Sequence, residues 1–196
     1  MIKDSLSVLP MRRDIYQLRL GFFLFIATLT VFFAASLIGY LLIRFSDSAD
    51  RAVSLNGVPV SLWVSTVFMF GVGYSLHRAV GAVRFEKQTW FRRWLFIAGG
   101  MALVFLVFQS LGLRRLLAEH DASGGDIKMY GLMFFLVLVH ALHVIGGLTT
   151  LAVVTNRANR DGYDHENYVG VSICADYWHF LDAVWVVMLI VFAVTG

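Results

Sequence analysis

Cysteine is almost missing from this chain: Cys174 is the only one in 196 residues. That excludes an intramolecular disulfide and leaves a small, weakly polar residue best read as helix packing. Proline is nearly as scarce, and neither Pro10 nor Pro59 falls deep in an apolar run, so no long helix is broken from within. There is no Gly-x-Ser-x-Gly elbow, no phosphate-binding Walker loop, no Gly-x-Gly-x-x-Gly fingerprint and no Cys cluster. Those absences remove the common soluble hydrolase, nucleotide-binding and structural-zinc classes. Charged residues make up only 15% of the chain, too few for an ordinary soluble domain surface.

What fills the sequence instead is apolar: 59% hydrophobic side chains and a mean hydropathy of +0.74. This composition is that of an integral membrane protein, because uncharged runs of roughly 20 residues are what an internally hydrogen-bonded helix needs to cross the hydrocarbon layer. Five such runs are present, at about residues 20–43, 58–76, 94–113, 129–155 and 171–195, which predicts a single all-α domain over 1–196 with five transmembrane helices. The first run is longer than a signal-peptide core and has no clear small-residue cleavage site, so it is expected to remain as a span.

The formal charge of +3 does not point to nucleic acid. Eleven Lys and Arg residues, including Arg12, Arg13, Arg84, Lys87, Arg92, Arg93 and Arg157, lie before span one or in the second and fourth loops, against five on the other side. The positive-inside bias then predicts a cytoplasmic N-terminus, an external C-terminus and basic contact with anionic headgroups in a bacterial inner membrane. Polar turns are expected at residues 44–57, 118–128 and 156–167. Glycines at Gly71, Gly73, Gly99, Gly100, Gly146 and Gly147 read as close helix packing, and Tyr40, Trp90, Trp94, Tyr130 and Tyr163 as interfacial aromatics.

Function should lie where polarity is costly. Five clearly ionisable side chains fall inside the predicted spans: His140 and His143 in the fourth, and Asp176, His179 and Asp182 in the fifth. An Asp at mid-bilayer costs about 3 kcal/mol on insertion scales, so Asp182 should face protein and have a partner. His143 and Asp182 lie at similar depth in adjacent antiparallel spans, which predicts a hydrogen bond between them. Trp178, His179, Asp182 and Trp185 follow one another at steps of three or four and form one stripe, expected to point inward. A polar clasp between helices, a metal or haem site and a proton relay all fit these residue types.

The run His140-Ala-Leu-His143-Val-Ile-Gly-Gly147, followed by Tyr177-Trp178-His179-Phe180-Leu181-Asp182-Ala183-Val184-Trp185, resembles subunit III of the haem–copper respiratory oxidases. The resemblance extends from about Gly21 to Gly196 and is strongest from His140 onward. It implies a non-catalytic accessory subunit that binds no haem, copper or other metal itself, packs beside the catalytic haem–copper subunit I, holds phospholipid in a cleft between helices, and supports assembly, sustained turnover and proton uptake. The carried-over motif is His140, His143, Trp178, His179, Asp182 and Trp185, with no catalytic residue among them. The chain departs from the family where Leu29 stands in place of an intramembrane Glu and Gly112 in place of another acidic residue. Leu cannot ionise or hydrogen-bond; Thr28 and Thr30 can offer a hydrogen bond in its stead but not a titrating group. The departure also suits an accessory subunit of a nitric oxide reductase. Readings from other classes are a small proton-linked transporter and a haem-binding electron carrier, disfavoured respectively by the odd span number without a repeat and by the lack of a second ligand pair.

Overall fold

The computed structural model describes residues 5–46, 60–123, 127–160, 162–163 and 167–195. They form five helices and, among the described residues, no strand: α1 (Ser5–Ser46), α2 (Val60–Arg84), α3 (Gln88–Ser123), α4 (Ile127–Asn159) and α5 (Val169–Thr195). Most helices run past the apolar segments read from the sequence. α1 begins 15 residues before the predicted span and α3 continues to Ser123, into the turn expected at 118–128; residues 124–126 lie outside the described set, as do 47–59 with Pro59. Charge marks where a helix meets headgroups, and it does not stop the backbone ladder.

Among the described residues, four helical segments are long and apolar enough to cross a bilayer: Ile15–Phe45, Gln88–Arg114, Gly131–Asn159 and Val169–Thr195. α2 is not one of the four, although its 25 residues are about 37 Å long, more than the ~30 Å hydrocarbon layer. Its inward face carries Ser65, Thr66 and Ser75, all buried. α2 carries the polar interior of the bundle.

α2 and α3 form a tight hairpin. Lys87 N–H donates to the Ala82 carbonyl at 2.9 Å and Glu86 N–H to Val83 at 3.1 Å, the paired bonds of a Schellman stop. Glu86 sits at φ 57°, the left-handed position usually given to glycine. α2, α3, α4 and α5 then close a ring in which each helix touches its two neighbours, and α1 packs outside it on α4 and α5. The main core gathers Met69, Val72 and Leu76 of α2, Phe105 of α3, Val144 of α4 and Trp178, Leu181 and Trp185 of α5. A second cluster joins Phe33, Leu37 and Tyr40 of α1 to Leu136 of α4 and Met188 and Phe192 of α5.

Two close approaches require glycine. A Cβ on Gly73 of α2 would collide with Asp182 Oδ2, and one on Gly147 of α4 would lie 3.1 Å from the Trp178 ring. Gly99 and Gly100 are different: a Cβ there meets nothing within 4 Å, and both line an open groove between α3 and α4. The expectation that they bring helices together is not met.

Candidate functional site

The polar motif is organised around Trp185 of α5. Its ring stacks on the His140 ring of α4, with centroids 5.2 Å apart and planes at 27°, and meets the Phe105 edge of α3 at 6.1 Å. Its indole Nε1–H donates to Thr66 Oγ1 of α2 at 2.9 Å, and that hydroxyl donates onward to the Leu62 carbonyl at 2.7 Å. One side chain therefore touches all three other helices of the ring. Beside Thr66 on α2, Ser65 donates weakly to Gln109 Oε1, one turn beyond Phe105 on α3, at 3.4 Å.

His140 is fully buried, boxed by Trp185 and the edges of Phe33 and Phe105 at 6.4 Å each. Neither of its ring nitrogens has a hydrogen-bond partner among the described residues. It behaves as an aromatic packing element with two costly nitrogens, since an unmade buried hydrogen bond costs about 1–3 kcal/mol. His143 faces elsewhere. Its Nδ1 lies 2.7 Å from the Val139 carbonyl one turn back, an arrangement that requires Nδ1 to carry the proton, and its ring meets Phe33 at 5.4 Å. The Tyr177 hydroxyl donates to the His143 carbonyl at 3.0 Å, tying α5 to α4.

The predicted His143–Asp182 bond is not formed. Asp182 turns toward α2, where Gly73 leaves room for it, and its Oδ2 lies 3.8 Å from His179 Nδ1 on its own helix. Depth placed the two residues together, but azimuth separates them: His143 looks to α1 and Asp182 to α2. Oδ1 of Asp182 and Nε1 of Trp178 are buried without a partner among the described residues. The inward stripe also needs correction, because Trp178, Asp182 and Trp185 are buried while His179 is 48% exposed. Thr28 and Thr30 do not replace a lost hydrogen bond to α4; each hydroxyl is spent on the carbonyl four residues back, Leu24 and Ile26, on an exposed face. Leu29 between them is buried in the main core, so an apolar contact stands where the resemblance places a carboxylate.

No group of three or more His, Cys, Asp or Glu side chains that could hold a metal ion occurs among the described residues. A cleft of about 610 Å³ opens between the first half of α1 and helices α4 and α5, lined by Phe22, Phe25, Gly146, Thr150, Cys174 and Tyr177. Its end is closed by Tyr163 of the α4–α5 connection, whose carbonyl accepts from Gln88 Nε2 at 3.0 Å and whose ring lies under the Arg157 guanidinium at 5.2 Å. Burial pushes the Tyr163 phenol above its ordinary pKa, with Arg157 pulling the other way.

The model of the cytochrome c oxidase subunit III family matches residues 14–196, which includes every residue of the motif. The chain belongs to the cytochrome c oxidase subunit III family. It is 25% identical to a cytochrome c oxidase subunit 3 of Thermostichus vulcanus over 177 residues, covering 86% of this chain and 83% of that one. It is 30% identical to a probable quinol oxidase subunit 3 of Staphylococcus aureus over 174 residues, covering 86% and 84%. A cytochrome c oxidase subunit 3 of Synechocystis is 26% identical over 129 residues, covering 65% of this chain and 53% of the longer relative. Three residues of the subunit III site escaped sequence reading: Thr66, Ser65 and Phe105. The signal was there in part, since Ser65-Thr66 is an adjacent polar pair inside an uncharged run.

Proposed function

We propose that this chain is a non-catalytic accessory subunit of a bacterial respiratory haem–copper oxidase, spanning the inner membrane five times with its N-terminus in the cytoplasm and its C-terminus outside. The observation that carries this is the family match over residues 14–196, joined to relatives named for cytochrome c and quinol oxidases. In this reading α2 is the fifth span, admitted to the membrane because its polar face is turned inward. Haem and copper belong to the catalytic subunit, and this chain contributes a rigid flank.

The Trp185–His140–Thr66 contacts support that mechanical role. They lock four helices at one level. The cleft between α1, α4 and α5 suits a phospholipid acyl chain: its walls are aromatic and small residues, and it is open along the side. A lipid held there would seal the flank and support sustained turnover.

The test is to purify the oxidase from cells with and without this chain and follow oxygen consumption through many turnovers. The proposal predicts an intact haem spectrum and similar initial rate in both, with activity decaying faster in the complex that lacks the chain. Loss of the initial rate at the haem centre itself, with the complex otherwise assembled, would count against a non-catalytic role.

A further inference from the structure

The α2–α3 hairpin holds a second cavity, away from the cleft of α1, α4 and α5 and sharing no lining residue with it. Its volume is about 500 Å³, and His77, Arg78 and Gly81 of α2 face Lys87, Trp90 and Trp94 across it. None of the side chains that line it is acidic. The residues fall at steps of three or four on the last turns of α2 and the first turns of α3, so two helix faces meet to make one basic and aromatic recess.

The cations are held in place. The Arg78 guanidinium lies over the Trp94 ring at 5.6 Å, and the Tyr74 ring meets Trp94 edge-on at 6.0 Å. Stacking uses the face of a guanidinium and leaves its N–H edge for oxygen acceptors. α3 begins at Gln88, between the lining residues Lys87 and Trp90, so the positive end of its dipole lies at the same opening. The opposing negative end of α2 is capped, because the carbonyls of Gly81, Ala82 and Val83 each accept a backbone N–H from the turn. From Arg78 an exposed apolar stripe, Tyr74, Phe70 and Val67, runs along α2 for about 16 Å, close to half of the ~30 Å hydrocarbon layer.

We propose that the hairpin recess binds the phosphodiester of an anionic phospholipid from the cytoplasmic leaflet, with an acyl chain laid along the α2 stripe. Two fixed cations and a helix N-terminus match a phosphate carrying a negative charge. A free phosphate would use the same cations, but only a lipid also uses the apolar stripe that leads out of the recess. Gly81 gives the headgroup its space, since a Cβ there meets nothing within 4 Å. The inference rests on α2 crossing the membrane, as in the proposed function, and is independent of which catalytic subunit stands beside the chain.

The tagged protein, with the subunits that stay on it, is purified from native membranes and titrated with phosphatidylglycerol, phosphatidylcholine or inorganic phosphate while native mass spectrometry counts the bound molecules. Phosphatidylglycerol should bind in preference to phosphatidylcholine and resist displacement by millimolar phosphate. The double change Arg78→Gln with Lys87→Gln should weaken its tightest site about thirtyfold, a factor of about five for each cation near a headgroup. Gly81→Leu keeps every cation but fills the recess, and should weaken binding as well. Arg160→Gln removes one exposed cation of the same end outside the recess and should leave that site unchanged. Unweakened binding in Gly81→Leu, or an equal loss in Arg160→Gln, would make the attraction a diffuse basic surface and overturn the site. Displacement by millimolar phosphate, or no preference for the anionic lipid, overturns the lipid as ligand. The expected pattern in a preparation without any haem subunit would overturn the accessory role and leave the recess standing.

Discussion

Replacing Trp185 separates ring packing from hydrogen bonding in the contact that joins α2, α3, α4 and α5. Trp185 is 1% exposed, stacks on His140 and donates to Thr66. Trp185→Ala removes the whole ring and leaves a cavity between four helices, for an expected loss of about 3–5 kcal/mol. Trp185→Phe keeps an aromatic face for His140 and gives up the indole N–H. Thr66 is not orphaned by that change, because its hydroxyl still donates to Leu62, so the loss should be only about 1–2 kcal/mol. Thr66→Val strands the buried indole N–H and should cost about 1–3 kcal/mol. In the Trp185→Phe background there is no N–H to strand, so Thr66→Val should then add little. Reversible unfolding in mixed detergent micelles, followed by circular dichroism, gives the four free energies of the cycle. Strict additivity would refute the coupling between Trp185 and Thr66. Equal losses for Trp185→Phe and Trp185→Ala would refute the assignment of most of the stabilisation to ring packing.

Three further outcomes follow from the same geometry. His140→Phe replaces a ring with two unpartnered buried nitrogens by an apolar ring in an aromatic box, and should stabilise the chain by about 1–3 kcal/mol in the same unfolding assay; a comparable loss would mean that the nitrogens are satisfied in the membrane. Gly73→Ala drives a methyl into Asp182 and His179 and should destabilise by about 1–3 kcal/mol, whereas Gly99→Ala meets open space and should be neutral or slightly stabilising; matching effects would show that the α2–α5 approach is not tight. Gly147→Val should separate α4 from α5 at Trp178, lowering the recovery of folded protein from membranes while Gly100→Val does not, as read by size-exclusion chromatography in detergent.

The helices themselves were plain in the sequence, because long uncharged runs have only one structure available in a bilayer. Their ends were not, since Arg and polar residues mark the headgroup boundary while the helix of α1 or α3 continues beyond it. The α5 motif was legible from its period, and Trp178, Asp182 and Trp185 do share the buried side. The partner of Asp182 was not legible: sequence fixes depth along a helix, but which neighbour a face meets depends on the arrangement of all five. α2 was read as a span, but the partners of its small and polar residues were not legible for the same reason: Thr66 accepts the indole N–H of Trp185, and Gly73 makes room for the carboxylate of Asp182.

The most direct measurement of the accessory-subunit account is a mild-detergent affinity purification of the tagged chain from native membranes, with partner identification by mass spectrometry and a reduced-minus-oxidised spectrum before and after dissociation. The account predicts that a large multi-span haem subunit co-purifies and keeps all of the haem signal when the complex is split. Haem that remains with this chain, or its recovery without a haem–copper partner while other respiratory complexes stay intact, would contradict it.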